Sequence, residues 1–409
     1  MNSAFLSWEA IYRIKHHMEE VDLRTIPSAV GGDKEKRHGI ILAKSEPAKR
    51  YGIKTAETLS DALKKCPDLV LVPPRYDLYE KCSKAFIDIL KEYSPKVEQY
   101  SIDEAFVDMT NTRSLFGSPV VVANLIKNRI RDELGFTVNI GVAPNRLLAK
   151  MASDFKKPDL VHTLFEHEIP TKMWPLPVSE LFFVGRATTK KLRNLGINTI
   201  GDLAKSDPSI IKSHLGKHGE LIHNYANGID TVPIVRSAPV NKGYGNSLTI
   251  DHDVTDSREA KKYLLSLCET VCSRLRKDSV SVTCVSVSIK NCYLASGSHQ
   301  KTLLSPTNVV AELHRHASEL FDEFWDGSPI RQLGVHTSHV TRDENKQLNL
   351  FDMDKFIRQS SLEKAIDKIR DKYGDDSIMR ASFIGGKDCH MAGGIQKEHR
   401  NPDKDDIME

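Results

Sequence analysis

The sequence has no apolar run that approaches the ~20 residues needed to cross a lipid bilayer. Its opening, Met1 to Glu9, carries neither the basic region nor the apolar region of a secretory signal peptide. The seven cysteines are odd in number and scattered, which favours a reduced, cytoplasmic protein over one stabilised by disulfides. Cys268 and Cys272, four residues apart in an apolar context, are interpreted as core residues rather than zinc ligands.

A strong net charge is also missing. The chain has 58 Lys and Arg against 55 Asp and Glu, a formal net charge of +3. The overall composition therefore does not indicate nucleic-acid binding, and any such function must be argued from local features. The 409 residues, 40% hydrophobic and 28% charged, are typical of a globular protein with about two to four domains.

Four blocks follow one another along the chain. Residues 1–165 alternate predicted strands and helices, as in an α/β sheet domain. Residues 166–235 follow a helical pattern throughout. Residues 243–342 alternate in the order strand, helix, strand, strand, helix, strand, which predicts a small α+β sandwich. Residues 343–409 form a polar tail with one predicted helix from Ser361 to Tyr373.

Two adjacent carboxylates, Asp103 and Glu104, interrupt an otherwise apolar, strand-like stretch that runs from Tyr100 to Met109. The pattern predicts a strand pair joined by a tight acidic turn. Buried charges are unfavourable unless they are paired or bound to a metal, and carboxylate oxygens suit Mg²⁺. Two such ions can activate a hydroxyl and stabilise a leaving pyrophosphate. The alternative is a solvated acidic turn without a catalytic role.

The sequence Ser-Ile-Asp-Glu-Ala-Phe at residues 101–106 resembles the catalytic motif of the Y-family DNA polymerases, the UmuC/DinB type. Further matching motifs follow the family's order and spacing over residues 1–342. They are the opening Asn2 to Glu9, a predicted hairpin within Thr25 to Ala43 that contains Gly31-Gly32, and the Lys-Pro segment Phe155 to Pro158. The resemblance implies an α+β multidomain fold, the right-hand polymerase.

The same resemblance implies how the blocks are used. They would be the palm and fingers (1–165, with fingers at about 7–70), a helical thumb with a helix–hairpin–helix (166–235), an α+β little finger (243–342) and a tail with a clamp-binding motif (343–409). The implied activity is error-prone, DNA-directed DNA synthesis across lesions, in DNA repair and the SOS damage response. Asp103 and Glu104 are implied as catalytic carboxylates and metal ligands for two Mg²⁺ ions.

The implied partners are primer–template DNA, a deoxynucleoside triphosphate and the bacterial sliding clamp. A membrane partner is not expected, and the chain is expected to be a monomer. A metal-dependent nuclease that uses Asp103 and Glu104 is a competing hypothesis, against which the helical thumb and the clamp motif weigh.

Phe5 lies where the family has an aromatic residue under the sugar of the incoming nucleotide, where its bulk excludes a 2′-hydroxyl. The resemblance therefore implies that Phe5 is a steric gate that selects deoxyribonucleotides. The alternative is a phenylalanine that only fills the core. In the Lys-Pro segment, the resemblance implies that Lys157 reaches the triphosphate.

The chain departs from the family at residues 43–52, where relatives usually have Ser-Tyr-Glu-Ala-Arg. Glu46 replaces the phosphate-binding tyrosine, and Lys49 replaces the arginine. Lysine cannot bind two phosphate oxygens with a planar fork as arginine does. We expect Lys49 and Lys157 to bind phosphate, with Arg50 and Lys44 as possible substitutes. The alternative is a solvated cluster of charges.

The segment Phe183 to Thr188, followed by further Lys and Leu residues, predicts a helix–hairpin–helix. Gly185 would permit a tight turn, and backbone N–H groups from Arg186 onward would bind a DNA phosphate at the start of the next helix. A plain pair of helices is the alternative. Gly216 to Gly219 is a weaker second candidate of the same kind.

A short apolar motif interrupts the polar tail at Gln347, Leu348, Asn349, Leu350 and Phe351. It resembles the bacterial sliding-clamp-binding peptide, in which Leu and Phe fill a groove and Gln forms a hydrogen bond at its rim. Five residues alone are weak evidence, which a preceding polymerase core strengthens. The alternative is a strand that packs against the preceding domain.

The family places an aspartate two residues before Asn2, one residue ahead of Met1. The printed chain therefore lacks one of three expected catalytic carboxylates and the first strand of the palm. We expect a misassigned start codon, because Met1 falls where relatives commonly have valine and a GTG valine codon can be read as a start. The alternative is an inactive DNA- and clamp-binding accessory protein.

Overall fold

The computed structural model describes residues 1–18, 21–32, 39–234, 241–342, 353–384 and 390–391. The chain divides into two compact units, Met1–Gly31 with Ile40–Ala238, and Gly32–Gly39 with Pro239–Glu409. In the described ranges, no helix combines the length and apolar character needed to span a membrane.

The first unit contains ten α-helices and seven strands among its described residues. In chain order they are α1 (Ala4–Lys15), β1 (Ser28–Gly31), β2 (Ile41–Lys44), α2 (Glu46–Arg50), α3 (Leu59–Lys65), β3 (Val70–Val72), α4 (Tyr76–Tyr93), β4 (Val97–Gln99), β5 (Ala105–Val107), α5 (Arg113–Phe116), α6 (Pro119–Leu134), β6 (Ile140–Val142), α7 (Arg146–Ser153), β7 (Val161–Thr163), α8 (Arg186–Asn194), α9 (Ile200–Lys205) and α10 (Pro208–Ala226).

The predicted hairpin around Gly31 is present as the antiparallel pair β1 and β2, and β3 adds to β1 in parallel. At the end of β2, Ser45 is buried and caps α2, because its Oγ accepts a hydrogen bond from the Ala48 N–H at 3.1 Å. The same hydroxyl donates to the Ile26 carbonyl at 2.7 Å. These bonds fix the point at which the chain leaves the sheet.

The predicted strand pair around Asp103 is confirmed as the antiparallel hairpin of β4 and β5. β6 and β7 form a separate parallel pair. Helices α1, α4 and α6 pack beside these strands around Trp8, Tyr79 and Ile130, each at most 1% exposed. Burial of such large apolar side chains contributes most of the stability of this layer.

A helical cluster follows, as the pattern predicts. Helices α8, α9 and α10 enclose a core that includes Leu192, Ile200 and Ile222, none of which is exposed. Helix α7 contributes Leu148 to the same core. At Gly216 the backbone of α10 leaves the helical conformation (φ 61°, ψ −144°), which divides the helix in two.

The second unit contains a four-stranded antiparallel sheet in the order β10–β9–β11–β8. Its elements are β8 (Gly243–Val254), α11 (Ser257–Lys277), β9 (Val280–Asn291), β10 (Ser296–Thr307), α12 (Val310–Phe324), β11 (Ile330–Arg342) and α13 (Met353–Tyr373). The predicted order of strands and helices in residues 243–342 is confirmed. Helices α11 and α12 pack on the sheet around a core that includes the buried Cys268 and Cys272.

Helix α13 begins at Met353, earlier than the predicted Ser361. The predicted start was too late, since Met353, Phe356 and Ile357 already recur at helical spacing. It is joined to α11 by a buried ion-pair cluster. Arg276 donates to Glu363 and to Asp367, each at 2.5 Å. Glu363 also accepts the Val310 N–H at 2.9 Å, at the start of α12, where the N-cap residue Val309 makes no side-chain cap. Glu363 therefore caps α12 from another helix.

Candidate active site

Asp103 and Glu104 lie in the bend between β4 and β5, where both are half-buried. The Ser101 hydroxyl donates to Oδ1 of Asp103 at 2.8 Å. The backbone N–H groups of Tyr100 and Ser101 both donate to the carbonyl of Glu104, at 2.9 and 3.1 Å. The bend is thus closed by its own backbone, which holds the two carboxylates at one place.

Lys150 of α7 pairs with this acidic bend, a contact that the sequence did not reveal. Its Nζ lies 2.6 Å from Oε1 of Glu104 and 3.0 Å from Asp154. Burial disfavours the ammonium, but the hydrogen bonds to the two carboxylates outweigh burial and raise the pKa of Lys150. The available signal was a lysine among the apolar residues of a short amphipathic helix that buries Leu147 and Met151.

The first residues of the chain lie against the same bend. The α-amino group of Met1 donates to the Asp103 carbonyl at 3.0 Å, and the Asn2 N–H donates to the Thr137 carbonyl at 3.2 Å. Burial lowers the pKa of the α-amino group, while the charges of Asp103 and Glu104 oppose that shift. The start of α1 is thereby placed next to the acidic bend.

Phe5 is half-buried in α1 and faces a small cavity. Its ring stacks on Tyr79, with ring centroids 4.6 Å apart and an interplanar angle of 15°. The Tyr79 hydroxyl donates to the buried carboxylate of Glu9 at 2.8 Å, and Arg75 binds the same carboxylate at 2.6 Å. Burial and the Glu9 charge raise the pKa of Tyr79, so this hydroxyl remains a donor.

The cavity has a volume of about 170 Å³, and both Phe5 and Asp103 line it. Its wall is formed by the start of α1, the end of β2 and the acidic bend. The lining residues are Ser3, Ala4, Phe5, Leu42, Ala43, Lys44, Thr55 and Asp103.

The expected phosphate ligands lie in different surroundings. Lys49 and Arg50 are exposed on α2, and Lys49 pairs with Glu46 at 3.4 Å. Lys157 pairs with Asp154 at 2.9 Å, and its charge acts on the Met1 amino group beside the acidic bend. Lys157 is therefore near the predicted catalytic residues, whereas Lys49 and Arg50 are absent from the wall of the cavity.

The predicted helix–hairpin–helix begins α8 with Gly185 as its N-cap residue. The expectation that Gly185 makes the tight turn is wrong. Any residue can adopt its φ of −83°, and the turn is instead made by Phe183 at φ 69°. A Cβ at Gly185 would meet no atom within 4 Å. Gly185 and Arg186 border an open cavity of about 610 Å³ that also contains Lys190 and Arg193.

Two sequence predictions concern other parts of the chain. Gln347, Leu348, Leu350 and Phe351, the expected clamp-binding residues, lie outside the described residues. Cys268 and Cys272 are fully buried in the core, as predicted. Within the described ranges, no group of three or more His, Cys, Asp or Glu side chains is placed to hold a metal ion.

Three models of known families match the chain. The impB/mucB/samB family matches residues 1–154, its C-terminal domain matches residues 241–350, and the thumb domain of DNA polymerase-iota matches residues 180–230. DNA polymerase IV of Clostridium acetobutylicum is 46% identical over 384 residues, which cover 94% of this chain and 96% of the relative. The chain belongs to the Y-family of DNA polymerases.

Other similarities agree with this membership. DNA polymerase IV 2 of Bacillus subtilis is 37% identical over 92% of this chain and 93% of its own length. A solved Y-family DNA polymerase chimera superimposes with a TM-score of 0.73, covering 83% of this chain and 97% of the chimera, at 22% identity. The likeness to the chimera concerns the fold, and it confirms the expected α+β multidomain architecture of this Y-family chain.

Proposed function

We propose that this Y-family chain is an error-prone DNA-directed DNA polymerase that acts in translesion synthesis during DNA repair and the damage response. It would add deoxynucleotides to a primer 3′ end by two-metal nucleotidyl transfer. The observation that carries the proposal is the cavity in which the predicted gate residue Phe5 and the predicted catalytic residue Asp103 meet.

The acidic bend suits a divalent metal ion bound together with substrate. Mg²⁺ is commonly held by one or two carboxylates and by phosphate oxygens of the substrate, rather than by an all-protein cage. Asp103 and Glu104 supply two adjacent carboxylates of this kind, and the closed bend keeps them half-buried. When bound, two Mg²⁺ ions would lower the pKa of the attacking hydroxyl and offset charge on the leaving pyrophosphate.

The protein's own groups would position the reactants around this bend. Lys150 holds Glu104 in one orientation through the 2.6 Å contact. Phe5, supported by Tyr79, would fill the space next to the sugar. Lys157 would offset charge on the triphosphate, with Lys49 and Arg50 reaching it from α2. Lys49 could leave Glu46 at small cost, because exposed ion pairs contribute only about 0–1 kcal/mol.

DNA would be held without reading its sequence. Arg186, Lys190 and Arg193 line the open cavity at the start of α8 and place positive charge there. Such a helix start binds a phosphate through N–H groups and the helix dipole. Gly185 and Arg186 would thus hold the duplex backbone, and the motif ending in Phe351 would bind the sliding clamp.

The competing proposal is a catalytically inactive accessory protein that binds DNA and the clamp. Primer extension with Mg²⁺ separates the two, using the printed chain and a form extended upstream of Met1 by the in-frame codons of its gene. Extension that is lost in Asp103→Ala and Glu104→Ala, while DNA affinity stays within a few-fold, supports the polymerase. If neither form extends a primer but both bind primer–template DNA, the accessory role is correct.

A further inference from the structure

Lys44 places a positive charge on the wall of the cavity between Phe5 and Asp103. It is the last residue of β2, and among the described residues that line this cavity it is the only cation. The lysines expected to bind phosphate, Lys49 and Lys157, are absent from this wall. A substrate that enters the cavity would therefore meet the charge of Lys44 at close range.

The backbone at Lys44 is held in place by the sheet. Lys44 pairs with Ala29 in the antiparallel register of β1 and β2. The next residue, Ser45, is buried, and its N–H donates to the Ser28 carbonyl at 3.0 Å. Because both residues are fixed by neighbouring strands, the root of the lysine side chain has one position relative to the cavity.

The ammonium of Lys44 has a neutral partner. Its Nζ donates to the Thr55 hydroxyl at 3.1 Å, and Thr55 lines the same cavity. In the part of the chain that the structure describes, no carboxylate forms an ion pair with Lys44, whereas Lys49 pairs with Glu46. Burial lowers the pKa of Lys44 and the nearby charge of Lys49 adds to this effect, against the opposing carboxylates Glu46 and Glu57. An anion in the cavity would offset the effects of burial and of the Lys49 charge on the ammonium of Lys44.

We infer that Lys44 binds the triphosphate of the incoming nucleotide and that Thr55 positions its ammonium. The inference rests on the proposed polymerase function. Phosphate oxygens form strong charge-assisted hydrogen bonds with an ammonium group. Lysine binds phosphate as a point charge, so a single cation at this wall can act without the forked geometry of arginine. Lys44 would thus supply a hydrogen-bond donor to phosphate in place of the tyrosine hydroxyl that is lost where Glu46 stands.

The test measures nucleotide affinity without turnover, on primer–template DNA whose primer ends in a dideoxynucleotide, with the full chain in the form that extends primers best. Lys44→Ala should weaken the affinity for all four deoxynucleoside triphosphates by about tenfold or more. Lys44→Arg should retain most of it, and Thr55→Val should lose about two- to fivefold. Lys54→Ala is the matched control, because it removes a neighbouring exposed lysine, and should change affinity less than about twofold.

Inorganic tripolyphosphate, used as a competitor, identifies the group that Lys44 contacts. A tripolyphosphate inhibition constant that rises in Lys44→Ala by the same factor as the nucleotide dissociation constant supports phosphate binding. Losses that depend on the base, with unchanged inhibition by tripolyphosphate, would overturn the inference in favour of a base contact. Equal affinity in the parent and Lys44→Ala would also overturn it. A parent that binds nucleotide but never extends a primer contradicts the polymerase proposal instead.

Discussion

The ring of Phe5 lies nearly parallel to the ring of Tyr79, with centroids 4.6 Å apart. Tyr79 is itself held by a hydrogen bond to Glu9, whose side chain is fully buried and bound by Arg75. Stacked aromatic pairs contribute about 0.5–1.5 kcal/mol beyond the area they bury. Stacking on Tyr79 therefore holds the ring of Phe5 in place. A residue that excludes a 2′-hydroxyl by its bulk must be held in this way.

Phe5→Ala is expected to admit ribonucleotides, because truncation opens the space in which a 2′-hydroxyl would lie. Single-nucleotide kinetics should show sugar discrimination reduced by about tenfold or more. Tyr79→Phe is the matched control, since it keeps the stacked ring and removes only the hydroxyl that binds Glu9. It should lower thermal stability but preserve sugar selection. Unchanged discrimination in Phe5→Ala would show that Phe5 only fills the core.

Lys150→Met is expected to slow nucleotide incorporation by about tenfold or more while DNA affinity changes little, because Glu104 loses the cation that orients it. The raised pKa of Lys150 means that the stabilising pair is fully formed below the ordinary lysine pKa and is lost only as pH rises through the raised value. The pair is thus intact at neutral pH. Single-turnover kinetics from pH 6.5 to about 9 measure the difference in incorporation rate between the parent and Lys150→Met.

Lys172→Met provides the comparison for that variant. Lys172 pairs with Glu168 at 2.5 Å, away from the acidic bend, so its loss should leave the incorporation rate unchanged. Lys150→Arg should restore a large part of the rate, since it keeps the charge. A rate that falls equally in Lys150→Met and Lys172→Met would point to general destabilisation rather than to orientation of Glu104.

Asp108→Asn is expected to destabilise the hairpin that carries Asp103 in a pH-dependent way. Hydrogen bonds from Thr110 and Lys96 lower the pKa of Asp108 to about 2. A lowered pKa stabilises the fold fully above the ordinary aspartate pKa, and this stabilisation is lost as pH falls toward about 2. At pH 7 the variant should lose about 1 kcal/mol, since solvent screens a partly exposed carboxylate.

Thermal unfolding of the parent and Asp108→Asn at pH 7, 5 and 3 should show a difference in stability that becomes smaller toward pH 3. Asp88→Asn is the control, because Asp88 forms an exposed pair with Lys91 on α4 and should change stability little at any pH. A difference that stays constant across the three pH values would mean that the ionised carboxylate of Asp108 is not the stabilising group.

Alanine at Gln347, Leu348, Leu350 and Phe351 together should abolish clamp-dependent processivity but spare unassisted synthesis. Apolar anchors provide most of the energy of such small interfaces, so clamp binding measured by calorimetry should fall below detection. Asn349→Ala, within the same motif, should bind nearly as the parent does. Parent-like clamp affinity in the quadruple variant would assign clamp binding to another surface.

The sequence was sufficient to predict the parts of the candidate site whose residues are adjacent in the chain. Asp103 and Glu104 are neighbours, and the apolar residues on both sides predict the hairpin that presents them. Sequence could not show that Lys150 meets Glu104. The position of Lys150 between buried Leu147 and Met151 marks the residue, but its partner depends on how α7 packs. The same limit applies to the presence of Lys44, rather than Lys49, on the cavity wall.

Because Glu363 on α13 caps the start of α12, the C-terminal region cannot be truncated freely in experiments. Removing all residues after Arg342 would delete the clamp motif, but it would also strip the cap from Val310 and leave the guanidinium of Arg276, whose side chain is 6% exposed, without Glu363 and Asp367. Losing one side of a buried ion pair typically costs about 3–5 kcal/mol. Loss of clamp-dependent activity in such a shortened protein would therefore not isolate the clamp motif, because the preceding domain is destabilised at the same time. The clamp motif fused as a peptide to another protein would be tested without this destabilisation.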